Sequence, residues 1–325
     1  MGITVSGFEY RSIEVADGVR LSAAVGGEGP ALVLLHGFPQ THLMWRHVAP
    51  VLAEHHTVVC PDLRGYGASG KPEAVDEGTY AKRTMAADIV ALADVLGFDR
   101  FALVGHDRGA HVAFRAGLDH PDRVSHLGIL DIVPTLDTWN VLHGVGAAVA
   151  FHLYLMAQPP GLPEQMIAAS ADAFFGHFLD AWSTSPDAIP ADVRAEYLRA
   201  SRHAVASIVA DCRATATVDI EHDQADLDAG NRLTMPVMVV QQDWGRQLGF
   251  DATAIWRPWT TDLQHFTTRA GHFMAEEAPQ DIAALILDLV KRAELPGAYL
   301  DSIRPNGLGP DVSVSQAACQ AGSPG

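Results

Sequence analysis

Residues 101–111 read FALVGHDRGAH. An apolar run, Phe101 to Val104, enters Gly105-His106-Asp107-Arg108-Gly109, and a segment with helical spacing follows. That is the layout of a strand-to-helix elbow, Gly-x-nucleophile-x-Gly, which holds its central side chain up at the edge of a sheet. Serine is the usual occupant; here the position is Asp107. The N-terminus of a following helix favours an anion there. A carboxylate attacks amides poorly, but it can attack saturated carbon carrying a leaving group, forming an ester that water must then hydrolyse. The plainer alternative is an aspartate N-cap on the helix that begins DRGA.

Working outward, short apolar runs alternate with amphipathic stretches. VRLSAAV, ALVLLHG, TVVCPDLRG, FALVGHD, LGILDIVP and, much later, PVMVVQQD read as strands. RTMAADIVALADVLG, RGAHVAFRAGLDHP and PQDIAALILDLVKRAEL carry helical spacing with Gly or His-Pro stops. Strand, helix, strand in succession predicts an α/β fold, a mainly parallel sheet flanked by helices on both faces. Residues 134–233 have helical but no strand periodicity, which predicts a helical cap inserted between a first core part, 1–133, and a second, 234–294. The Gly/Pro/Ser-rich stretch 295–325 reads as a flexible tail.

The 325-residue chain carries 22 Lys+Arg against 39 Asp+Glu, a formal charge of −17. Such a surface argues against nucleic acid or an anionic membrane as partner and points to a small-molecule substrate. Cys60, Cys212 and Cys319 show neither zinc nor disulfide spacing, as expected of a reduced, cytoplasmic protein. The N-terminus has no signal-peptide pattern, and its Met-Gly start with Ser6 reads as a chance match to an acylation motif. No apolar run reaches membrane-spanning length. No phosphate loop, dinucleotide fingerprint or metal-ligand cluster appears, so no cofactor and no metal are expected.

Other residues cluster around the elbow motif by chemistry. His272, in RAGHFMAEEAP, follows the last strand-like segment and could activate water toward an ester carbonyl. Asp131 and Asp243 each end a strand, and either could orient that histidine, with Asp131 preferred. The Gly37-Phe38 turn of HGFPQ could aim the Phe38 N–H at an ester oxygen, with the Arg108 N–H as second donor. His36 reads as a structural hydrogen-bonding residue, and Arg64 and Tyr66 of DLRGYGAS as braces.

Taken together, LLHGFPQ, DLRGYGAS, GHDRGA, LDIVPT, LMAQPPGLPE, TVDIEHDQAD and GHFMAEEAP resemble the α/β-hydrolase fold, and within it the haloacetate (fluoroacetate) dehalogenase branch, close kin of epoxide hydrolases. The resemblance spans about residues 8 to 293. It implies Asp107 as nucleophile, His272 as base, Asp131 as orienting acid, Phe38 at the oxyanion side and Arg108 as binder of a substrate carboxylate. It also implies that His152 contacts the departing halide, and dimers are common in such families. Three positions depart from the family pattern. His111 stands where a second arginine is expected, Leu153 replaces a halide-pocket tryptophan, and Cys212 replaces a cap tyrosine. Losing two donors weakens fluoride cleavage, and losing an arginine removes bidentate carboxylate binding. The expected reaction is dehalogenation of a 2-haloacid in an enlarged, more apolar pocket that contains His111, His152, Leu153 and Cys212. The alternative is hydrolysis of a bulkier epoxide with His152 as donor, since Tyr154, two residues along the helix, points elsewhere.

Overall fold

The computed structural model describes residues 3–185, 187–242 and 249–293; Asp243 and the 295–325 tail lie outside the described residues. Eight strands form one sheet in the order β1-β2-β4-β3-β5-β6-β7-β8. They are β1 (Glu9–Ala16), β2 (Val19–Gly26), β3 (Ala31–Leu35), β4 (Thr57–Pro61), β5 (Phe101–His106), β6 (Val124–Leu130), β7 (Val237–Gln242) and β8 (Leu263–Thr268). β1, β2 and β4 pair antiparallel; from β4 through β8 every pairing is parallel.

The inner parallel strands are largely apolar runs because both faces are covered. Their side chains alternate between two cores as the two-residue period of a strand requires. Val33, Leu35, Leu103, Leu127, Ile129, Val237 and Val239 point to one side. Leu32, Leu34, Val104, Leu130, Met238 and Val240 point to the other. The first core is closed by α2 (Lys82–Leu96) and α3 (Arg108–Asp119) through Met85, Ile89, Val112 and Phe114. The second is closed by α1 (Ala49–Leu52) and the helix Pro279–Val290 through Leu52, Ile282 and Ile286. Each fully buried Leu, Ile or Val contributes roughly 1.5–3 kcal/mol of transfer free energy.

Two strands went unread in the sequence. β1 is exposed at six of its eight positions, so its period is masked by charged and polar side chains, and it is held by pairing to β2 across the Asp17-Gly18 turn, where Gly18 takes φ 72°. β8 is a polar edge strand, LQHFTT, that pairs only with β7. Between β6 and β7 the described residues form helices: α4 (Thr135–Val141), α5 (Phe151–Met156), α6 (Leu162–Ala169), α7 (Ala171–Ala181), α8 (Ala191–Arg202), α9 (Val205–Ala214) and α10 (Val218–Ala229), with a short 3-10 turn at Gly144–Ala148. Parallel pairing puts the C-terminal ends of β3, β5, β6, β7 and β8 on one edge of the sheet, where ligand sites of open α/β sheets lie.

Candidate active site

β5 ends at His106 and α3 begins at Arg108, so Asp107 alone makes the reversal, at φ 48° and ψ −117°. An L-residue held there is strained by about 1–3 kcal/mol and needs its surroundings to fix it. Three glycines allow it by close approach. A Cβ on Gly105 would lie 2.3 Å from the Gly109 carbonyl oxygen, one on Gly109 2.4 Å from that of His36, and one on Gly37 2.4 Å from the Cβ of Asp107. The Asp107 N–H donates to the Leu130 carbonyl at 3.1 Å. The Phe38 N–H donates to Asp107 Oδ1 at 2.7 Å. Gly109→Ala should therefore destabilise the protein by about 1–3 kcal/mol or more, the scale of overpacking a tight core. An unchanged urea midpoint would contradict that reading.

His36, Arg64 and Tyr66 are found bracing this edge. His36 Nε2 accepts from the Leu63 N–H at 3.0 Å, and Arg64 holds Asp88 through bonds of 2.7 and 2.6 Å. The Tyr66 hydroxyl donates to Asp211 at 2.6 Å.

His272 follows β8 and faces the elbow. Its Nδ1–H donates to Asp131 Oδ2 at 2.7 Å, which leaves Nε2 as the basic atom, 3.7 Å from Asp107 Oδ2. Among the described residues Nε2 has no hydrogen-bond partner. Asp131 leaves the end of β6 at φ 59°, and its two oxygens also accept from the Gln242 N–H at 3.0 Å and side-chain amide at 2.9 Å. Burial alone pushes the His272 imidazole down, but the bond to Asp131 and the charges of Asp131 and Asp107 outweigh it, so its pKa is raised above 6.5. Burial pushes the Asp107 carboxyl up, yet His272, His106, Arg108 and the Phe38 N–H together hold it below its usual range. The His106 ring lies tilted against that of His272, with centres 4.6 Å apart, and donates to the His272 carbonyl at 2.8 Å. Burial lowers the His106 pKa to about 4, so it is a neutral prop beneath the base.

A strap from the end of α7 grips the His272 loop, and no sequence signal pointed to it. The His272 N–H donates to the Trp182 carbonyl at 2.9 Å, and the Gly271 N–H to Thr184 Oγ1 at 3.1 Å. The N–H groups of Thr184 and Ser185 both donate to Glu277 Oε2, at 2.9 and 3.1 Å, as does the Thr184 hydroxyl. Trp182 thereby stands edge-on to both His272 (4.9 Å) and His152 (5.1 Å). Strap and carboxylate are about ninety residues apart in the chain, so their meeting is invisible to local pattern. Glu277→Gln should keep the fold and slow breakdown of any covalent intermediate about tenfold, the equivalent of one charge-assisted bond. Intermediate formation should be much less affected; equal slowing of both steps would mean Glu277 acts only on stability.

Above Asp107 lies a cavity of about 530 Å³ lined by Ile132, Val133, Leu142, Val149, Leu153 and Trp182 on its apolar side, and by Asp107, Arg108, His111, His152 and His272 on its polar side. His152 stacks on Phe38 with ring centres 5.4 Å apart and planes at 10°. Burial lowers its pKa to about 3, so it is a neutral donor or acceptor, and its Nδ1 has no partner among the described residues. His111 is likewise neutral, its pKa lowered by burial to about 3, with Nδ1 against Thr135 Oγ1 at 3.2 Å. The Tyr154 hydroxyl donates to the Leu142 carbonyl at 2.7 Å.

Two expected substrate contacts are placed differently. Cys212 is fully buried in the apolar core and is not one of the cavity's lining residues. A thiol is a whole ring shorter than the tyrosine expected there, and it stops short of the wall. Arg108 does line the cavity, but its guanidinium is turned onto Asp211. Nε donates to Oδ2 at 2.9 Å, and Nη2 to Oδ1 at 3.1 Å and to the Asp211 carbonyl at 2.9 Å. Asp211 is 103 residues from Arg108 in the chain and arrives on α9. Among the described residues no group of three or more His, Cys, Asp or Glu could hold a metal ion, and no helix is long and apolar enough to cross a membrane.

The family model of the alpha/beta hydrolase fold matches residues 30–179. The chain is 40% identical over 292 residues to a fluoroacetate dehalogenase of Burkholderia sp, covering 88% of this chain and 95% of that protein. It is 34% identical over 270 residues to a soluble epoxide hydrolase of Corynebacterium sp. (strain C12), covering 81% and 91%. The crystal structure of ALR0039 from Nostoc sp PCC 7120 superposes with a TM-score of 0.85 at 37% identity, over 89% of this chain and all of that one. The chain belongs to the α/β-hydrolase superfamily, in its dehalogenase and epoxide hydrolase branch, and is a hydrolase.

Proposed function

We propose that this enzyme hydrolyses an alkyl electrophile through an ester on Asp107. The observation that carries the reading is a single carboxylate held between two groups, with Oδ1 on the Phe38 N–H and Oδ2 3.7 Å from His272 Nε2. Asp107 Oδ2 forms a bond to saturated carbon as the leaving group departs with its electron pair. Water then attacks the ester carbonyl, Cγ of Asp107, giving its proton to His272 Nε2 while Asp131 steadies the imidazolium. Charge developing on the carbonyl oxygen meets the Phe38 and Arg108 N–H groups. Collapse expels the alkoxide, which takes the proton back from His272 and leaves as an alcohol, and the acid left on Asp107 ionises to restore the carboxylate. Residues 134–233 act as a cap over this edge, with 1–133 and 234–294 as the two parts of the core.

The two sequence relatives divide the leaving groups between them. Carbon–halogen cleavage of a 2-haloacid follows the relative of higher identity. Epoxide opening is favoured by His152, a neutral imidazole on the wall of the same cavity as Asp107. Both run through the same ester. The test is one turnover in ¹⁸O-labelled water with enzyme in excess: the label should appear in the Asp107 peptide and not in the first product. Label in the first product would mean direct attack by water and would remove the ester from the scheme.

The base must be neutral to work. The bond and charge of Asp131 raise the His272 pKa and persist once Asp107 is esterified, whereas the charge of Asp107 does not. Hydrolysis of the ester should fall as pH drops through the imidazole's pKa in that intermediate, giving kcat an acid limb. The stability linkage runs the opposite way. Protonated His272 stabilises the fold below its unfolded pKa, and that contribution is lost as pH rises through the folded pKa. A kcat with no acid limb would assign the base elsewhere.

A further inference from the structure

Arg108 is the one lysine or arginine among the described residues that line the cavity. Its hydrogen bonds to protein use Nε and both hydrogens of Nη2, all on Asp211, so the edge that could grip a carboxylate bidentately is occupied and only Nη1 is left. The charge is spent as well as the geometry. Asp211 also bonds Lys82, and Lys82 reaches Asp219 Oδ2 at 3.4 Å, while its own N–H donates to Asp219 Oδ1 at 2.8 Å. Two buried cations therefore face two buried carboxylates, and Tyr66 donates a further hydrogen bond to Asp211. His111, beside them on the wall, is neutral. On the reacting side stand the carboxylates of Asp107 and Asp131, so among the described residues no lysine or arginine is left over for an anionic substrate, in a chain of formal charge −17.

We infer that the electrophile taken by this site is uncharged, with an apolar body fitted to Leu142, Val149, Leu153 and Trp182, and that Asp211 sets this choice by withholding Arg108. The inference rests on the ester reading for its chemistry but not for its charge preference. Asp211 touches no reacting atom and is a specificity-determining residue acting through Arg108. The enlarged pocket left by Leu153 suits an apolar amide, ester or aryl epoxide better than a short haloacid.

The experiment compares pairs that differ only in charge. With wild-type enzyme, kcat/KM should favour 2-bromopropanamide over 2-bromopropanoate and trans-3-phenylglycidamide over trans-3-phenylglycidate by at least about tenfold, one charge-assisted bond forgone by the acid. Calorimetry should show phenylacetamide binding more tightly than phenylacetate. Asp211→Asn should move each ratio toward the acid by about tenfold. Should that variant fail to fold, Lys82→Met/Asp211→Asn removes one charge of each sign and should do the same. Tighter binding of phenylacetate, preference for the acids by wild-type enzyme, or unchanged ratios in a folded Asp211 variant would each overturn the inference. Failure of the ester reading looks different: the amide would still outbind the acid, but no pair would leave an ester on Asp107.

Discussion

Asp107→Asn abolishes turnover of every electrophile the enzyme accepts, by more than about 1,000-fold, the scale on which removing a nucleophile is felt. The substitution is close to isosteric, and the amide oxygen can still accept from the Phe38 N–H that now reaches Oδ1. Fold and melting temperature should thus be nearly kept, and the loss is chemical: an amide has no charge to drive attack on saturated carbon. Intact mass after exposure to substrate should show no adduct. A purified variant with a tenth of wild-type activity would mean that another group attacks.

The second large effect differs in kind. His272→Ala should form the ester and fail to break it. The multiple-turnover rate should drop by more than about 1,000-fold, while single-turnover alkylation stays within about tenfold of wild type. Mass spectrometry should find one alkyl group per chain, on the peptide that contains Asp107. His272 holds Asp131 at 2.7 Å and lies tilted against His106 at 4.6 Å, so its removal strips the water-activating half of the site and leaves the elbow in place. Substrate consumed with no ester accumulating would sink the two-step scheme. Wild-type multiple turnover by both Asp107→Asn and His272→Ala would do so equally.

How much of this was legible follows physical range. The inner parallel strands were readable because burial on both faces writes an apolar run into ALVLL and FALV, which the polar edge strand β8 lacks. β1 was not, because its hydrogen bonds come from β2 and its side chains face water. The elbow was visible because Gly105 and Gly109 flank Asp107 within five residues, and the structure puts His272 and Asp131 beside it. Neither the turn of Arg108 onto Asp211 nor the Trp182–Glu277 strap could be read, since each joins segments that only the folded chain brings together. The thiol of Cys212 shows the converse limit. A residue can align with a wall position and still be too short to reach the wall.

The glycine contacts beneath Asp107 divide the molecule into parts with unequal freedom to change. With methyl groups at Gly37, Gly105 and Gly109 colliding at 2.3–2.4 Å, the sheet edge tolerates almost no new side-chain volume around the reacting carboxylate. Leu142, Val149 and Leu153 border the cavity from the helical segment instead and have open space before them. Directed variation should therefore find altered fit to the substrate's apolar body mostly in α4, α5 and the turn between them, and find mostly unfolded protein when it samples the elbow. A new reaction partner can be accommodated by reshaping the ceiling, while the floor on which the chemistry rests stays as it is.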